Sequence, residues 1–119
     1  QGDGWVGSMQ HIAREGRCWV LSAGTLLRGS DFPADFPGKA QLFPDEDEWV
    51  NPGGSVVVAP GGEIVAGPHF REEGILTCDL DPSRSGHAKR SLDVAGHYAR
   101  PDLFELEIDR DPQEPFEWD

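Results

Sequence analysis

Basic side chains and cysteines are scarce in this sequence, and long apolar runs are absent. Its 119 residues include 10 lysines and arginines against 22 aspartates and glutamates, which gives a formal net charge of −12 with neutral histidines. Affinity for phosphate backbones and anionic lipids comes from lysine and arginine, so neither nucleic acid nor a membrane surface is an expected partner. The longest apolar runs, residues 18–21 and 56–59, are far shorter than the ~20 residues of a membrane-spanning helix.

The two cysteines are too few for the disulfide framework of a small secreted domain. Cys18 and Cys78 both lie in apolar segments, where a thiol behaves as a small hydrophobic group. A reducing compartment, the cytoplasm, is therefore expected. The sequence starts at Gln1 rather than methionine and has no basic region followed by an apolar stretch, so we expect a truncated chain without a secretory signal.

Apolar residues make up 37% of the chain and aromatic residues 9%, which predicts a packed core. A first helix is indicated by apolar residues at the i, i+4, i+7 and i+8 positions that share one helix face. These residues are Trp5, Met9, Ile12 and Ala13. Ser8 is a candidate cap for this helix, and Gly16 is a candidate end.

Five further segments have the composition of β-strands. Residues 18–23 form a continuous apolar run, typical of a central strand buried on both faces. Residues 55–59 and 63–67 flank a Pro-Gly-Gly turn and predict a hairpin. In residues 74–80 and 103–108, successive side chains would alternate between two faces, which predicts two more strands. The second is expected to be half-buried, because its apolar residues would share one face.

The remaining segments are a long loop, a short helix and a tail. Residues 28–53 are rich in proline and acid, and a loop of this length is more often functional than idle. Asp81 followed by proline predicts the start of a helix over residues 83–92. Residues 109–119 are acidic and predict a mobile tail or a docking strap. This order of elements indicates a mixed α and β fold in which helices cover a sheet.

Most candidate chemistry in the sequence has a simpler explanation. Cys18 is a poor candidate nucleophile, because a buried strand is not the exposed turn that a reactive thiol needs. The four histidines do not show metal-ligand spacing, and the acidic residues 45–48 lack the pattern of a calcium loop. Residues 93–102 combine His, Tyr, Arg and two Asp, and two interpretations stay open: a loop that caps a site or binds a neighbour, and an internally satisfied hydrogen-bond network.

Three ordered blocks of sequence resemble the nitrilases of the carbon–nitrogen hydrolase superfamily. The blocks are residues 9–22, residues 53–68 and residues 93–104, the last containing Gly-His-Tyr-Ala-Arg-Pro. They resemble the C-terminal part of a nitrilase, after the nucleophile. The resemblance implies an α+β fold, an α-β-β-α sandwich of which only the C-terminal half is present, with residues 1–110 in that domain and residues 111–119 as an acidic tail.

The resemblance also implies a reaction. In this family a Cys thiolate attacks the nitrile carbon, a Glu shuttles protons and a Lys stabilises developing charge, so that a covalent thioimidate leads to carboxylic acid and ammonia. All three residues belong upstream of this segment. Cys18-Trp19 matches the first two letters of the nucleophile's setting, but Val20 stands where Glu is required. No catalytic residue is therefore carried over, no metal or organic cofactor is implied, and the chain alone is expected to be inactive.

What the resemblance carries over is a supporting role. It places His97, Tyr98 and Arg100 close to the substrate or at a subunit contact, with His97 tuning substrate placement or proton balance. It also implies a small nitrile as substrate and a homo-oligomer, a dimer or a spiral. The alternatives are a cyanide hydratase or an aliphatic amidase of the same superfamily, and a non-catalytic, truncated interaction module.

Overall fold

The computed structural model describes residues 2–110, which fold into a four-stranded antiparallel sheet with three α-helices. The mixed α+β composition that the sequence predicts is confirmed. Within residues 2–110, no helix has the length and apolar character needed to cross a membrane. The helices are α1 (Asp3–Gly16), α2 (Lys39–Leu42) and α3 (Ser83–Lys89), and the strands are β1 (Val20–Ser22), β2 (Leu26–Arg28), β3 (Trp49–Val58) and β4 (Ile64–Phe70).

The ten-residue strand β3 is the centre of the sheet. Strands β1 and β4 both pair antiparallel with β3 at Val57 and Val58, so they flank it on opposite sides, and β2 pairs with the first part of β3. The prediction of a central, fully buried strand over residues 18–23 is therefore wrong. Strand β1 is short and pairs only with β3, and its Leu21 is 65% exposed.

The hairpin predicted around the Pro-Gly-Gly turn is confirmed as β3 and β4. The backbone N–H of Ala59 donates to the Glu63 carbonyl at 2.8 Å, which closes the turn. Gly62 has a φ of +91°, a conformation that glycine adopts without steric cost. The Gln10 side chain donates to the Gly62 carbonyl at 2.8 Å, so α1 is fixed to the tip of the hairpin.

Helix α1 packs on β3 through a narrower apolar face than the sequence indicates. Ala13 is fully buried together with Val56 and Val58, and Met9 packs against this core. Ile12 is 48% exposed, so it lies at the margin of the face. The predicted helix end is confirmed at Gly16, followed by Arg17 in the left-handed conformation.

The predicted capping role of Ser8 is wrong. Its hydroxyl donates to the Gly4 carbonyl at 2.9 Å, one turn back along the same helix. Cys18 also differs from its predicted place: it lies half-buried in the turn between α1 and β1, where its backbone N–H donates to the Ala13 carbonyl.

The proline-rich segment 28–53 is more ordered than a plain loop. It contains a 3₁₀ turn at Gly29–Asp31 and the short helix α2, and its last residues already belong to β3, which starts at Trp49. Phe32 and Phe43 stack with ring centroids 4.3 Å apart, and Phe36 packs against both. Such aromatic packing gives the segment a small apolar cluster of its own.

The predicted short helix is confirmed as α3, although it ends at Lys89 rather than at residue 92. Its N-cap is Pro82, one residue after the predicted cap at Asp81, and the Asp81 carboxylate accepts a hydrogen bond from the Ser83 backbone N–H at 2.9 Å. The Trp19 indole N–H donates to the Asp81 carbonyl at 3.1 Å, and Arg84 forms an ion pair with Glu63 of the hairpin turn. These contacts attach α3 to the sheet.

Two predicted strands are absent from the structure. Residues 74–80 and 103–108 have no regular secondary structure, and Ile75 and Leu106 are 91% and 83% exposed. Both segments have the alternation of side chains that a strand requires. A strand forms, however, only when a neighbouring strand supplies its hydrogen bonds. Within residues 2–110, no strand pairs with either segment.

Candidate functional site

Two adjoining cavities, of about 360 Å³ and 450 Å³, form one open depression beside β2, which we call the β2 cleft. Leu26 and Glu73 line both cavities, so the two adjoin at these residues. The first contains Ser55, His69 and Glu72, and the second contains Arg28, Trp49 and Arg71. The polar side chains of the cleft therefore come from β2, β3 and the end of β4 with the turn that follows it.

Pairing with β3 brings these distant segments together. Leu26 of β2 lies opposite Pro52, and Phe70 of β4 lies opposite the next residue, Gly53. The backbone at Gly24 approaches Gly53 so closely that an added Cβ would lie 2.6 Å from the Gly53 carbonyl carbon. The Gly24 N–H also donates to the Ser55 hydroxyl at 2.9 Å, which fixes one wall of the cleft.

His69 and Glu72 form the histidine–carboxylate pair of the cleft. The His69 Nε2 atom lies 3.3 Å from a Glu72 carboxylate oxygen, with the imidazole 27% exposed and the carboxylate 74% exposed. Gly74 lies against the imidazole, because a Cβ there would be 2.8 Å from His69 Cε1. The ring therefore packs on the backbone of the turn that carries its partner.

Arg28 and Arg71 are the cationic groups of the cleft. The Arg28 guanidinium lies over the Trp49 ring, 4.2 Å from its centroid, and 3.9 Å from an Asp47 carboxylate oxygen. Arg71 has a φ of +60°, and its backbone N–H donates to the Pro52 carbonyl at 2.8 Å.

The residues that the sequence singled out lie outside this cleft. His97, Tyr98 and Arg100 are exposed in a run of turns after α3, and none of them lines the β2 cleft. The His97 Nδ1 atom is 3.7 Å from an Asp93 carboxylate oxygen, and the rings of His97 and Tyr98 have centroids 4.2 Å apart. The contacts of this loop are thus made within the loop itself.

Arg100 and Asp102 close the same loop with a two-pronged ion pair. The guanidinium donates to both carboxylate oxygens, at 2.7 and 2.6 Å. These hydrogen bonds raise the pKa of Arg100 and lower the pKa of Asp102. The role assigned to His97, Tyr98 and Arg100 stays a prediction, since their partners in the structure are their own neighbours.

The described residues do not assemble a Cys, Lys and Glu catalytic set. Lys39 donates to the Phe32 carbonyl at 2.9 Å and pairs with Glu46 at 3.2 Å, and the other lysine, Lys89, ends α3. Within residues 2–110, no group of three or more histidine, cysteine or carboxylate side chains could hold a metal ion. The β2 cleft can bind and orient a polar ligand, but it presents no thiol for covalent chemistry.

Sequence reasoning missed His69, Glu72 and Ser55 as cleft residues. The available signal was the His-x-x-Glu spacing directly after a Gly-Pro pair at the end of the hairpin. That spacing alone is weak, because only the pairing of β2 and β4 with β3 reveals that the residues share a cavity.

Comparison with known proteins identifies the family. Residues 2–90 match the carbon–nitrogen hydrolase model. The chain is 44% identical to an aliphatic nitrilase of Sinorhizobium fredii (strain HH103) over 111 residues, which cover 93% of this chain and 35% of that protein. Nitrilase 2 of Arabidopsis thaliana is also 44% identical, over 93% of this chain and 34% of its own length.

A third relative has two activities in its name. A bifunctional nitrilase/nitrile hydratase of Nicotiana tabacum is 44% identical over 87% of this chain and 30% of its own length. The chain thus spans about a third of the length of the curated relatives that it matches.

Proposed function

The chain belongs to the carbon–nitrogen hydrolase family, and from this premise we propose that it is the part of a nitrilase that follows the catalytic nucleophile. The observation that carries the proposal is the 44% identity to nitrilases over 93% of the chain. In the complete enzyme an organic nitrile is hydrolysed to a carboxylic acid and ammonia. Glu, Lys and Cys residues from the remainder of the enzyme carry out the reaction, and this segment supports them.

The chemistry of the described residues agrees with a supporting role. A nucleophilic thiol needs a nearby base or cation that favours the thiolate. Within residues 2–110, neither lysine pairs with a cysteine. Lys39 donates to the Phe32 carbonyl and pairs with Glu46, and Lys89 lies at the end of α3. Cys18 and Cys78 are half-buried free thiols. We therefore assign both cysteines to packing.

The exposed apolar surface supports an incomplete sandwich. Ile75, Phe104 and Leu106 are 91%, 77% and 83% exposed, and large apolar side chains at this exposure mark contact surfaces. In the α-β-β-α sandwich that we propose, a second sheet with its helices covers this surface. The same surface, or the loop 28–53, provides contacts for the homo-oligomer.

Ammonia release tests the proposed activity. The full-length protein that contains these residues is incubated with an aliphatic nitrile, with the corresponding amide and with cyanide, and the products are identified. We expect acid and ammonia from the nitrile. Turnover of the amide alone would indicate an amidase, formamide from cyanide would indicate a cyanide hydratase, and no turnover of any substrate would favour the interaction module.

We further propose that the turn-rich loop around His97 lies against the active site or a subunit contact in the complete enzyme. Its His97 and Tyr98 rings are exposed, so they are available to a surface outside this chain. Replacing His97 by Asn in the full-length protein is expected to change turnover or the acid-to-amide product ratio. The control is His11→Asn, which removes an exposed histidine that pairs only with Glu15 on α1. Unchanged turnover and product ratio in the His97 variant would refute the proposal.

A further inference from the structure

Arg71 is an exposed cation that lines the β2 cleft, and its backbone is held by a hydrogen bond. Within the described part of the chain, its guanidinium forms no ion pair, side-chain hydrogen bond or ring contact. Its φ of +60° lies in the left-handed region, which a long side chain rarely adopts, and the hydrogen bond from its N–H to the Pro52 carbonyl holds it there. Such a conformation persists where the surroundings impose it, and it is found preferentially at ligand sites.

Arg28 adds a second, oriented guanidinium to the same cavity. Its guanidinium carbon lies 4.2 Å from the Trp49 ring centroid, and a cation over an aromatic face is held there by the ring's negative charge density. Its one ion pair, with Asp47, is long at 3.9 Å and involves a carboxylate that is 90% exposed, so solvent weakens it. Two arginine forks therefore line one cavity with most of their hydrogen-bonding capacity unused.

The cavity also contains two acidic groups, Asp31 and Glu73, which oppose an anion. The Asp31 carboxylate accepts a hydrogen bond from the Arg28 backbone N–H at 2.6 Å, so it is already engaged in closing the 3₁₀ turn. Glu73 lines both halves of the cleft and forms no ion pair or hydrogen bond within residues 2–110. Because the chain carries a net charge of −12, its overall field repels anions, and an anion could be held only by groups fixed in the cavity.

We propose that the part of the β2 cleft around Arg28, Trp49 and Arg71 binds a small organic carboxylate on a flat or apolar body. Guanidinium forks match the two oxygens of a carboxylate, and the faces of Leu26 and Trp49 provide apolar surface for the rest of the ligand. Nitrile hydrolysis releases a carboxylate, so the site would hold the class of compound that the enzyme produces. That connection rests on the proposed function, whereas carboxylate binding itself does not.

Calorimetric titration of the full-length protein with benzoate and with neutral benzamide tests the proposal. We expect benzoate to bind at least about tenfold more tightly than benzamide, because only the carboxylate forms charge-assisted hydrogen bonds. Arg71→Gly removes the guanidinium and suits the left-handed backbone, so it should weaken benzoate binding by about tenfold or more without lowering the melting temperature. The matched control is Arg90→Gln, which removes the same charge from an exposed position after α3.

Glu73 provides a second variant whose effect has the opposite sign. Glu73→Gln removes a negative charge from the cleft and should tighten benzoate binding severalfold, most clearly at low ionic strength. Equal affinity for benzoate and benzamide, or benzoate affinity unchanged by Arg71→Gly, would overturn the proposal. A protein that releases no ammonia but binds benzoate through Arg71 would refute the proposed nitrilase function and leave the carboxylate site standing.

Discussion

Two glycines show how differently single residues are constrained in this chain. At Gly24, an added Cβ would lie 2.6 Å from the carbonyl carbon of Gly53 and 2.8 Å from the backbone nitrogen of Gly54, both in the rigid central strand. At Gly86, in the middle of α3, nothing lies within 4 Å of an added Cβ. Gly24 therefore serves close backbone approach at the β2 cleft, while Gly86 only lowers the stability of its helix.

Alanine at these two positions should change stability in opposite directions. Gly24→Ala forces backbone displacement beside the cleft and should lower the free energy of unfolding by about 1–3 kcal/mol. Gly86→Ala should raise it by about 0.5–1 kcal/mol, because alanine is the better helix former. Urea denaturation of the full-length protein measures both, and a neutral Gly24→Ala variant would show that the backbone at Gly24 does not lie against β3.

At the residue scale, the sequence identified side chains but not their neighbours. His97, Tyr98 and Arg100 attract attention because polar and aromatic residues are concentrated there, yet their contacts are local. His69 lies near the end of β4 and Arg71 directly after it, in a segment whose local pattern does not indicate a site. They become part of a cleft only because β4 and β2 pair with adjacent residues of β3, and no local pattern reports such pairing.

The helices and strands fall into two groups: those that a few neighbouring residues predict, and those that also depend on a distant partner. Helix α1, the hairpin of β3 and β4, and helix α3 were predicted because apolar spacing, a Pro-Gly-Gly turn and an Asp-Pro cap act within a few residues. Residues 74–80 and 103–108 were predicted as strands because they alternate. Alternation shows which side chains a sheet could bury, but a strand also needs a partner, and residues 2–110 supply none.

The start of α3 should depend on pH through Asp81. Hydrogen bonds from the Ser83 hydroxyl and from its backbone N–H lower the pKa of this carboxyl below its ordinary value of 3.8. A group whose pKa is lower in the folded state stabilises that state above its unfolded pKa, and the stabilisation is lost as the pH falls through the folded pKa. We therefore expect the hydrogen bonds of Asp81 at the start of α3 to be lost only under clearly acidic conditions.

A carboxyl-detected NMR titration of the full-length protein measures the pKa of Asp81 directly. A value below the ordinary 3.8 is expected, and Ser83→Ala should raise it because the hydroxyl donor is removed. A pKa of Asp81 at or above 3.8 in the wild-type protein would contradict the hydrogen bonds assigned to its carboxylate.

As a whole, the described chain is a thin slab rather than a compact domain. Its principal extents are 55 × 49 × 20 Å and its radius of gyration is 20.2 Å, against about 13–14 Å for a compact chain of this length. A slab about 20 Å thick has room for a sheet with helices on one side. This shape agrees with the proposal that a second sheet with its helices completes the sandwich.

The isolated 119-residue chain should therefore self-associate. Exposed Phe104 and Leu106 and the unpaired outer edges of β1 and β4 invite edge-to-edge contacts. Sedimentation velocity of this chain at several concentrations should show oligomers or aggregates. A monomer that melts in one sharp, cooperative transition would show that the slab needs no covering layer.

The central claim is that the nucleophile of the reaction lies outside this segment. Mass spectrometry of the full-length enzyme, quenched with acid during turnover of a nitrile and digested, identifies the cysteine that carries the covalent intermediate. We predict an adduct on a peptide outside these 119 residues, with Cys18 and Cys78 unmodified. An adduct on either of these two cysteines would contradict the account.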